Sequence, residues 1–238
     1  MALSFNSATP DYIYRDAPVT GYPFSISAWV YTIDVTANRV WISLTDTASD
    51  NNNFVGYLGT TSVAYFFIQN VGTTQTSAGP ALSLNAWYHI CIVEETSGNH
   101  NMLVNGNTYG VSISERTPSS IDRYAIGIRA DLTPDLPHEG YIAEVALWNV
   151  ALTFNEVLIL SQGFSPTFVR PQKLLSYLPS INNNNIDLID NKIWTTSGSP
   201  GIATPPPITY PAVTPKFLGH ITAAAPAGGG ARSYGVIF

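Results

Sequence analysis

The stretch from Gly140 to Gly163, GYIAEVALWNVALTFNEVLILSQG, constrains the fold of this chain more than any other segment. Its first half alternates as a β-strand does, and both faces are mostly apolar, which indicates a central strand covered on both sides. One face is predicted to carry Tyr141, Ala143, Val145 and Leu147, and the opposite face Ile142, Glu144, Ala146 and Trp148.

The second half of the stretch predicts one short helix with well-defined ends. Thr153 is the predicted N-cap, and Glu156, three residues later, completes a capping box. Leu152 and Val157 have the spacing of a hydrophobic staple across this cap. Gly163 stands where a left-handed C-cap is favoured. The rest of the chain is rich in strand patterns, so we predict an all-β fold: a two-sheet antiparallel sandwich with one short helix.

The same stretch resembles the closing motif G-x-I-x-E-V-x-L-W-N-x-A-L-T of laminin G-like, concanavalin A-like jelly rolls. Other segments resemble this family and occur in its order: LSFNSATPDYIY from Leu3, PFSISAWVY from Pro23, NAWYHICIVEE and then MLVNGN from Asn85, and RYAIGIR from Arg123. The resemblance covers Leu3 to Ser165 and implies a jelly roll. Because this fold is found in lectins, adhesion modules, glycosidases and viral surface proteins, the resemblance leaves the function open.

The composition changes near residue 200, so we predict a jelly-roll domain over residues 1–200 and an extended arm over residues 201–238. The proline-rich part of the arm favours polyproline II, and its last six residues, SYGVIF, are apolar. We expect the arm to dock on a neighbouring subunit of a homo-oligomer; the alternative is that it folds back on its own domain. The predicted docking residues are Tyr210, Phe217, Tyr234, Ile237 and Phe238.

Charge and targeting signals exclude several classes of protein. The net charge of −6 argues against nucleic-acid binding, which needs a basic surface. The N-terminal sequence MALSFNSATPDY has no features of a signal peptide, and no apolar run is long enough to cross a membrane. Cys91 is the single cysteine, so an intrachain disulfide is excluded. We therefore expect a protein that is made in the cytoplasm and has no signal peptide.

Catalytic patterns are absent from the sequence, and we predict that the protein is not an enzyme. Glycoside hydrolysis in this fold needs paired carboxylates, whereas strand alternation places Glu139 and Glu144 on opposite faces. Glu144 is instead expected to bond to a neighbouring loop. The four histidines lack metal-ligand spacing, and His89 is predicted to be a buried, hydrogen-bonded histidine. Cys91 is predicted to be a buried small hydrophobe.

Calcium is the one ion that the sequence brings into consideration, and otherwise no cofactor is expected. Calcium takes about 6–8 oxygen ligands, and a polar loop offers Asp46, Asp50 and Asn52 as candidates. The same residue types are what turns are made of, so a turn without metal is the favoured interpretation.

Aromatic residues suggest a weak glycan site. Sugar binding uses exposed aromatic side chains with amide and hydroxyl groups beside them. Trp29, Trp87 and Trp148 fall within strong strand patterns and are predicted to lie in the core. The candidate solvent-facing patch combines Trp41 and Tyr57 with the neighbouring amides of Asn51 and Asn53, and Tyr65 lies close by in sequence.

Two functions remain after these exclusions. The first is a non-catalytic structural virion protein, such as a phage capsid decoration, fibre or tail surface subunit, with weak glycan binding. It would assemble with other virion subunits in the host cytoplasm. It is favoured because an extracellular type of fold lacks an export signal and because charged residues are only 11% of the chain, against about 25% in typical domains. The alternative is a carbohydrate-binding adhesion module.

Overall fold

Two antiparallel sheets pack face to face in the computed structural model, which describes residues 2–71, 73–112, 116–179 and 185–209. The larger sheet contains β1 (Ala2–Phe5), β3 (Phe24–Thr32), β8 (Trp87–Thr96), β9 (Asn99–Val104), β10 (Asn107–Ser112), β12 (Gly140–Trp148), β13 (Leu174–Leu178) and β15 (Gly201–Ala203). The smaller sheet contains β2 (Tyr12–Asp16), β4 (Arg39–Thr45), β5 (Asn52–Leu58), β6 (Val63–Asn70), β7 (Thr73–Ala81), β11 (Arg123–Ile126) and β14 (Thr195–Ser197).

Strand order explains how the sandwich is assembled. The larger sheet runs β10-β9-β8-β3-β12-β1-β15, and β13 pairs with the second half of β12 beside β1. The smaller sheet runs β14-β2-β11-β4-β5-β6-β7. Every strand pair is antiparallel, so the predicted all-β, two-sheet jelly-roll sandwich is confirmed.

The main core lies between the sheets because one face of each strand is apolar. In β3 the inward side chains are Phe24, Ile26, Ala28 and Val30, all buried, and they meet residues such as Ile42 and Leu44 of the smaller sheet. A second apolar cluster lies on the outer face of the larger sheet. It includes Trp148, Cys91 and Tyr177, and residues of the helix cover it.

The predicted alternation of β12 is correct only as far as Ala143. A β-bulge lies between Ala143 and Ala146, where β12 has one residue more than its partner β3. Glu144 occupies this bulge with a φ of 55°. The bulge reverses the facing of the following residues, so Val145 and Leu147 join Ile142 in the inner core, contrary to the prediction.

The helix α1 (Phe154–Ser161) has the predicted capping box, since Thr153 accepts a hydrogen bond from the N–H of Glu156 and the Glu156 carboxylate accepts one in return. Leu152 and Val157 are both buried in the outer cluster, as the staple requires. Gly163 follows the helix with a φ of 87°, as predicted for the C-cap region. Within the described ranges, no helix has the length and apolar character needed to cross a bilayer.

The chain after residue 200 begins on its own sandwich. Gly201–Ala203 forms β15, which pairs with β1, and Thr209 forms a parallel bridge with Phe164. The predicted docking residues Tyr210, Phe217, Tyr234, Ile237 and Phe238 lie outside the described residues. Docking of an arm on a neighbouring subunit therefore stays a prediction.

Candidate functional site

Four aromatic side chains lie together on the outer face of the larger sheet, and we call this group the aromatic platform: Trp29, Tyr31, Trp87 and Tyr141. Strand register brings them together, because Tyr31 is opposite both Tyr141 on β12 and Trp87 on β8. Trp29 lies two residues from Tyr31 on the same face of β3. All four side chains are partly exposed to solvent.

Ring contacts fix the geometry of the aromatic platform. The rings of Tyr31 and Tyr141 are stacked, with centroids 4.9 Å apart and an interplanar angle of 26°. Trp87 meets Tyr31 at 5.4 Å in an edge-on arrangement. Three neighbouring strands hold these rings, so the surface is formed before any ligand arrives, which lowers the entropy lost on binding.

The positions of Trp29 and Trp87 differ from the prediction. These two residues and Trp148 were predicted to lie in the core because all three fall within strong strands. Trp148 is fully buried, whereas Trp29 and Trp87 are partly exposed. A strand pattern identifies the two faces of a strand, but it does not say whether a second layer covers each face. Here α1 covers the outer face around Trp148 and leaves the face around Trp29 open.

His89 lies beside the aromatic platform, opposite Trp29 in the strand register, with ring centroids 5.6 Å apart. The side chain is only 1% exposed, and neither ring nitrogen has a hydrogen-bond partner among the described residues. The predicted burial is therefore confirmed, but the predicted hydrogen bond of the ring is wrong. Burial lowers the pKa of His89 to about 3, so the ring is neutral at physiological pH.

A buried polar group without a partner is rare in folded proteins and destabilises the fold by about 1–3 kcal/mol. Neutral imidazole has one N–H donor and one acceptor nitrogen. His89 thus places unused hydrogen-bonding groups directly beside the aromatic platform. Across the hairpin, the side-chain oxygen of Asn105 accepts a hydrogen bond of 2.9 Å from the backbone N–H of His89 and leaves the His89 ring without a bond.

Glu144 lies next to the aromatic platform on the other side of Trp29, because Ala143 is the residue opposite Trp29 in the register. Its carboxylate is 2% exposed and accepts a hydrogen bond from the Tyr177 hydroxyl. Tyr177 in turn accepts a hydrogen bond of 3.3 Å from Ser165. This partner lies on strand β13, and the predicted bond of Glu144 to a neighbouring loop stays a prediction.

The other strand carboxylates of the larger sheet lie away from Glu144. Glu94 is buried on the inner side, where it pairs with His100. Glu95 bonds to Asn99 and lies six residues along β8 from His89, a separation on the order of 20 Å at strand spacing. The aromatic platform consequently offers flat apolar rings and polar groups for binding, with the Glu144 carboxylate beside it.

The residues that the sequence suggested for glycan binding do not form one surface. Trp41 is 0% exposed, so its predicted position facing solvent is wrong. Asn53 is also fully buried, whereas Asn51 is exposed and bonds to Gln69. Tyr57 is partly exposed and stacks on Tyr65 with ring centroids 5.1 Å apart, on the smaller sheet. A ligand role for Tyr57 and Asn51 stays a prediction.

The calcium candidates use their oxygens to close turns. The Asp46 carboxylate accepts hydrogen bonds from the Ala48 N–H and from the amide of Asn52. Asp50 accepts one of 2.8 Å from the N–H of Thr133. In the part of the chain that the structure describes, no group of three His, Cys, Asp or Glu side chains could hold a metal ion. Calcium binding at this loop stays a prediction without further support.

Solved structures with the same fold include several from carbohydrate biology. A Bacteroides ovatus protein assigned as a carbohydrate binding protein has a TM-score of 0.62 and 20% identity, over 87% of this chain and 61% of its own. The heptameric SAP-like pentraxin of Limulus polyphemus has a TM-score of 0.59 and 14% identity, over 84% of this chain and 92% of its own. The CBM40 of a Ruminococcus gnavus IT-sialidase, bound to α2,3-sialyllactose, has a TM-score of 0.52 and 12% identity, over 60% and 84%.

This chain thus spans about three fifths of the Bacteroides ovatus protein. At these identities the likeness establishes the fold. No curated protein sequence matches the chain significantly. The model of one protein family matches residues 7–158, which is more than half of the 238 residues. The chain belongs to the concanavalin A-like lectin/glucanases superfamily.

Proposed function

We propose that this protein is a non-catalytic carbohydrate-binding domain and that the aromatic platform is its sugar-binding surface. The observation that carries the proposal is the open, preformed group of Trp29, Tyr31, Trp87 and Tyr141 beside the unpartnered ring of His89. Aromatic rings of this kind pack against the apolar face of a sugar ring, while neighbouring polar groups bind its hydroxyls.

Two of the similar structures support this proposal because they are associated with carbohydrate binding. The Bacteroides ovatus protein carries an assignment to carbohydrate binding, and the Ruminococcus gnavus CBM40 was solved with a bound sialyllactose. Binding without hydrolysis is proposed because, among the described residues, no second carboxylate is paired with Glu144: Glu139 lies five residues earlier, on the order of 15 Å at strand spacing, and its carboxylate accepts hydrogen bonds from Ser7. Retaining glycosidases need their two carboxyl groups about 5–5.5 Å apart, and inverting enzymes about 6.5–9.5 Å apart.

The variant Trp87→Ala should weaken glycan binding by about tenfold to thirtyfold, the usual effect of removing a central aromatic residue from a binding surface. A glycan array identifies the ligand, and calorimetry then measures the dissociation constants of the wild type and the variant. Tyr57→Ala is the matched control, because Tyr57 is also a partly exposed, stacked aromatic residue but lies on the smaller sheet.

Tyr57→Ala should leave the dissociation constant unchanged, and both variants should keep the wild-type circular dichroism spectrum. The opposite result, with binding lost in Tyr57→Ala and kept in Trp87→Ala, would move the site to the surface that the sequence first suggested. Release of reducing ends from the bound glycan, lost in Glu144→Gln, would contradict the non-catalytic part of the proposal.

A structural role as a virion subunit is the second candidate. The observation that favours it is the apolar surface around α1, where Phe154, Ile159 and Phe168 are 51%, 39% and 49% exposed. Neighbouring subunits would cover such a surface, as the low charge content of the chain also suggests. Sedimentation over a range of concentrations separates the candidates, since a virion subunit that packs through this surface should self-associate and Phe168→Ser should weaken its association.

A further inference from the structure

We infer that the aromatic platform selects uncharged glycans and rejects glycans whose interacting sugar carries a carboxylate. This inference rests on the proposed function and concerns the ligand class of the same surface. It follows from where the described cationic side chains of the protein lie.

Cationic side chains are absent from the strands of the larger sheet. None of the segments that form β1, β3, β8, β9, β10, β12, β13 and β15 contains a lysine or an arginine. The smaller sheet, by contrast, contains Arg15, Arg39 and Arg123. Proteins hold a ligand carboxylate most effectively with the paired N–H groups of arginine. The sheet that presents the aromatic platform lacks this means of recognition.

Most of the described arginines are already paired with carboxylates of the same chain. Four of the described arginines form ion pairs within the chain: Arg15 with Asp187 and Asp190, Arg39 with Asp34, Arg129 with Asp135, and Arg170 with Glu156. Arg123 lies over the ring of Tyr14 on the smaller sheet. Lys173 lies beyond the far end of β12, where its carbonyl accepts a hydrogen bond from Asn149. None of these contacts is with a residue of the aromatic platform.

The groups beside the aromatic platform favour neutral ligands. Glu144 contributes a carboxylate, to which Tyr177 donates a hydrogen bond. His89 is neutral at physiological pH, because burial lowers its pKa to about 3. A sugar carboxylate at this surface would lose its hydration and would meet no lysine or arginine from the strands of the larger sheet. A neutral hexose would instead present an apolar face to the rings and hydroxyl groups to the polar neighbours.

The test uses a glycan array with matched pairs, each a neutral oligosaccharide and the same oligosaccharide with a terminal sialic acid or uronic acid. The intact protein should bind the neutral member of a pair at least about tenfold more tightly, since a carboxylate that loses its hydration without a cationic partner is strongly unfavourable. Equal or tighter binding of the acidic member, at the same surface and lost in Trp87→Ala, would overturn the inference while leaving the proposed function intact.

A gain-of-charge variant makes the test independent of the wild-type ligand. Ser4 on β1 is opposite Tyr141 in the register and partly exposed, so Ser4→Arg adds a guanidinium at the edge of the aromatic platform. It should raise the affinity for the acidic member of each pair, and the matched control Ser4→Gln should not. An unchanged preference in Ser4→Arg would count against the inference. Failure of the folded wild type to bind any glycan would overturn the proposed function and this inference with it.

Discussion

Replacing Trp148 with alanine should lower the free energy of unfolding by about 3–5 kcal/mol, the usual loss for a large aromatic residue in a core. The indole is 0% exposed, and its N–H donates a hydrogen bond of 2.8 Å to the carbonyl oxygen of Val169. Truncation would leave a cavity in the outer cluster and an unpaired carbonyl. Trp148 therefore stabilises the attachment of α1 and the following turns to the larger sheet.

Thr153→Ala is the comparison for this variant. It removes the N-cap of α1, where Thr153 accepts a hydrogen bond from Glu156, and should cost about 1 kcal/mol. Urea unfolding at equilibrium measures both losses. Equally small losses in the two variants would show that the outer cluster contributes little and that the Trp148 side chain is accessible in solution.

Asp187→Ala should be comparably destabilising, by about 3–5 kcal/mol, because it removes one partner of a buried ion pair. Asp187 is 0% exposed, and its carboxylate lies 2.8 Å from the guanidinium of Arg15. The same carboxylate accepts hydrogen bonds from the N–H groups of Tyr177 and Ile189. The Ser176 hydroxyl donates to this carboxylate as well, so one side chain ties the segment after β13 to strands of both sheets, and its loss leaves four donors without this acceptor.

Asp190→Ala is the matched control, because Asp190 also pairs with Arg15 but its side chain is 33% exposed. An exposed ion pair contributes about 0–1 kcal/mol, so this loss should be much the smaller of the two. Thermal and urea unfolding of the two variants test the difference. Equal losses would mean that the buried carboxylate has no special role in anchoring this segment.

The fold was predictable because its signals are local. The capping box of α1 depends on two residues three positions apart, and the alternation of β3 assigns Phe24 and Val30 to the core without further information. The bulge at Glu144 was not predictable, since a bulge is defined by the register of the partner strand. The β12 alternation therefore fails at the position where two strands must be known together.

The attachment of the segment after β13 to the sandwich was not predictable from the sequence either. The apolar residues Leu188 and Ile189 of this segment are 52% and 38% exposed, so they do not hold it on the sandwich. Asp187 anchors it instead, through Arg15, which lies 172 positions earlier in the chain. A sequence pattern cannot identify such a pair, because its two members share no local spacing.

The sequence predicted which residues of the candidate site share a face of the strand, but it did not predict that this face is open to solvent. The spacing of Trp29 and Tyr31 already places both rings on one face of β3. What covers that face depends on where α1 packs, and α1 covers the region of Trp148 only. Trp41 illustrates the reverse case, because its proximity to polar loops suggested exposure while the sheet packing buries it completely.

Glycan binding by the aromatic platform can be followed by tryptophan fluorescence during titration with a glycan selected on the array. Trp41, Trp148 and Trp194 are at most 2% exposed, so a ligand-dependent change in emission should come from Trp29 and Trp87. We expect a saturable change in emission with the same dissociation constant as calorimetry, and its loss in the Trp29→Ala, Trp87→Ala double variant. Undiminished glycan binding by that folded double variant would show that the sugar binds elsewhere on the protein.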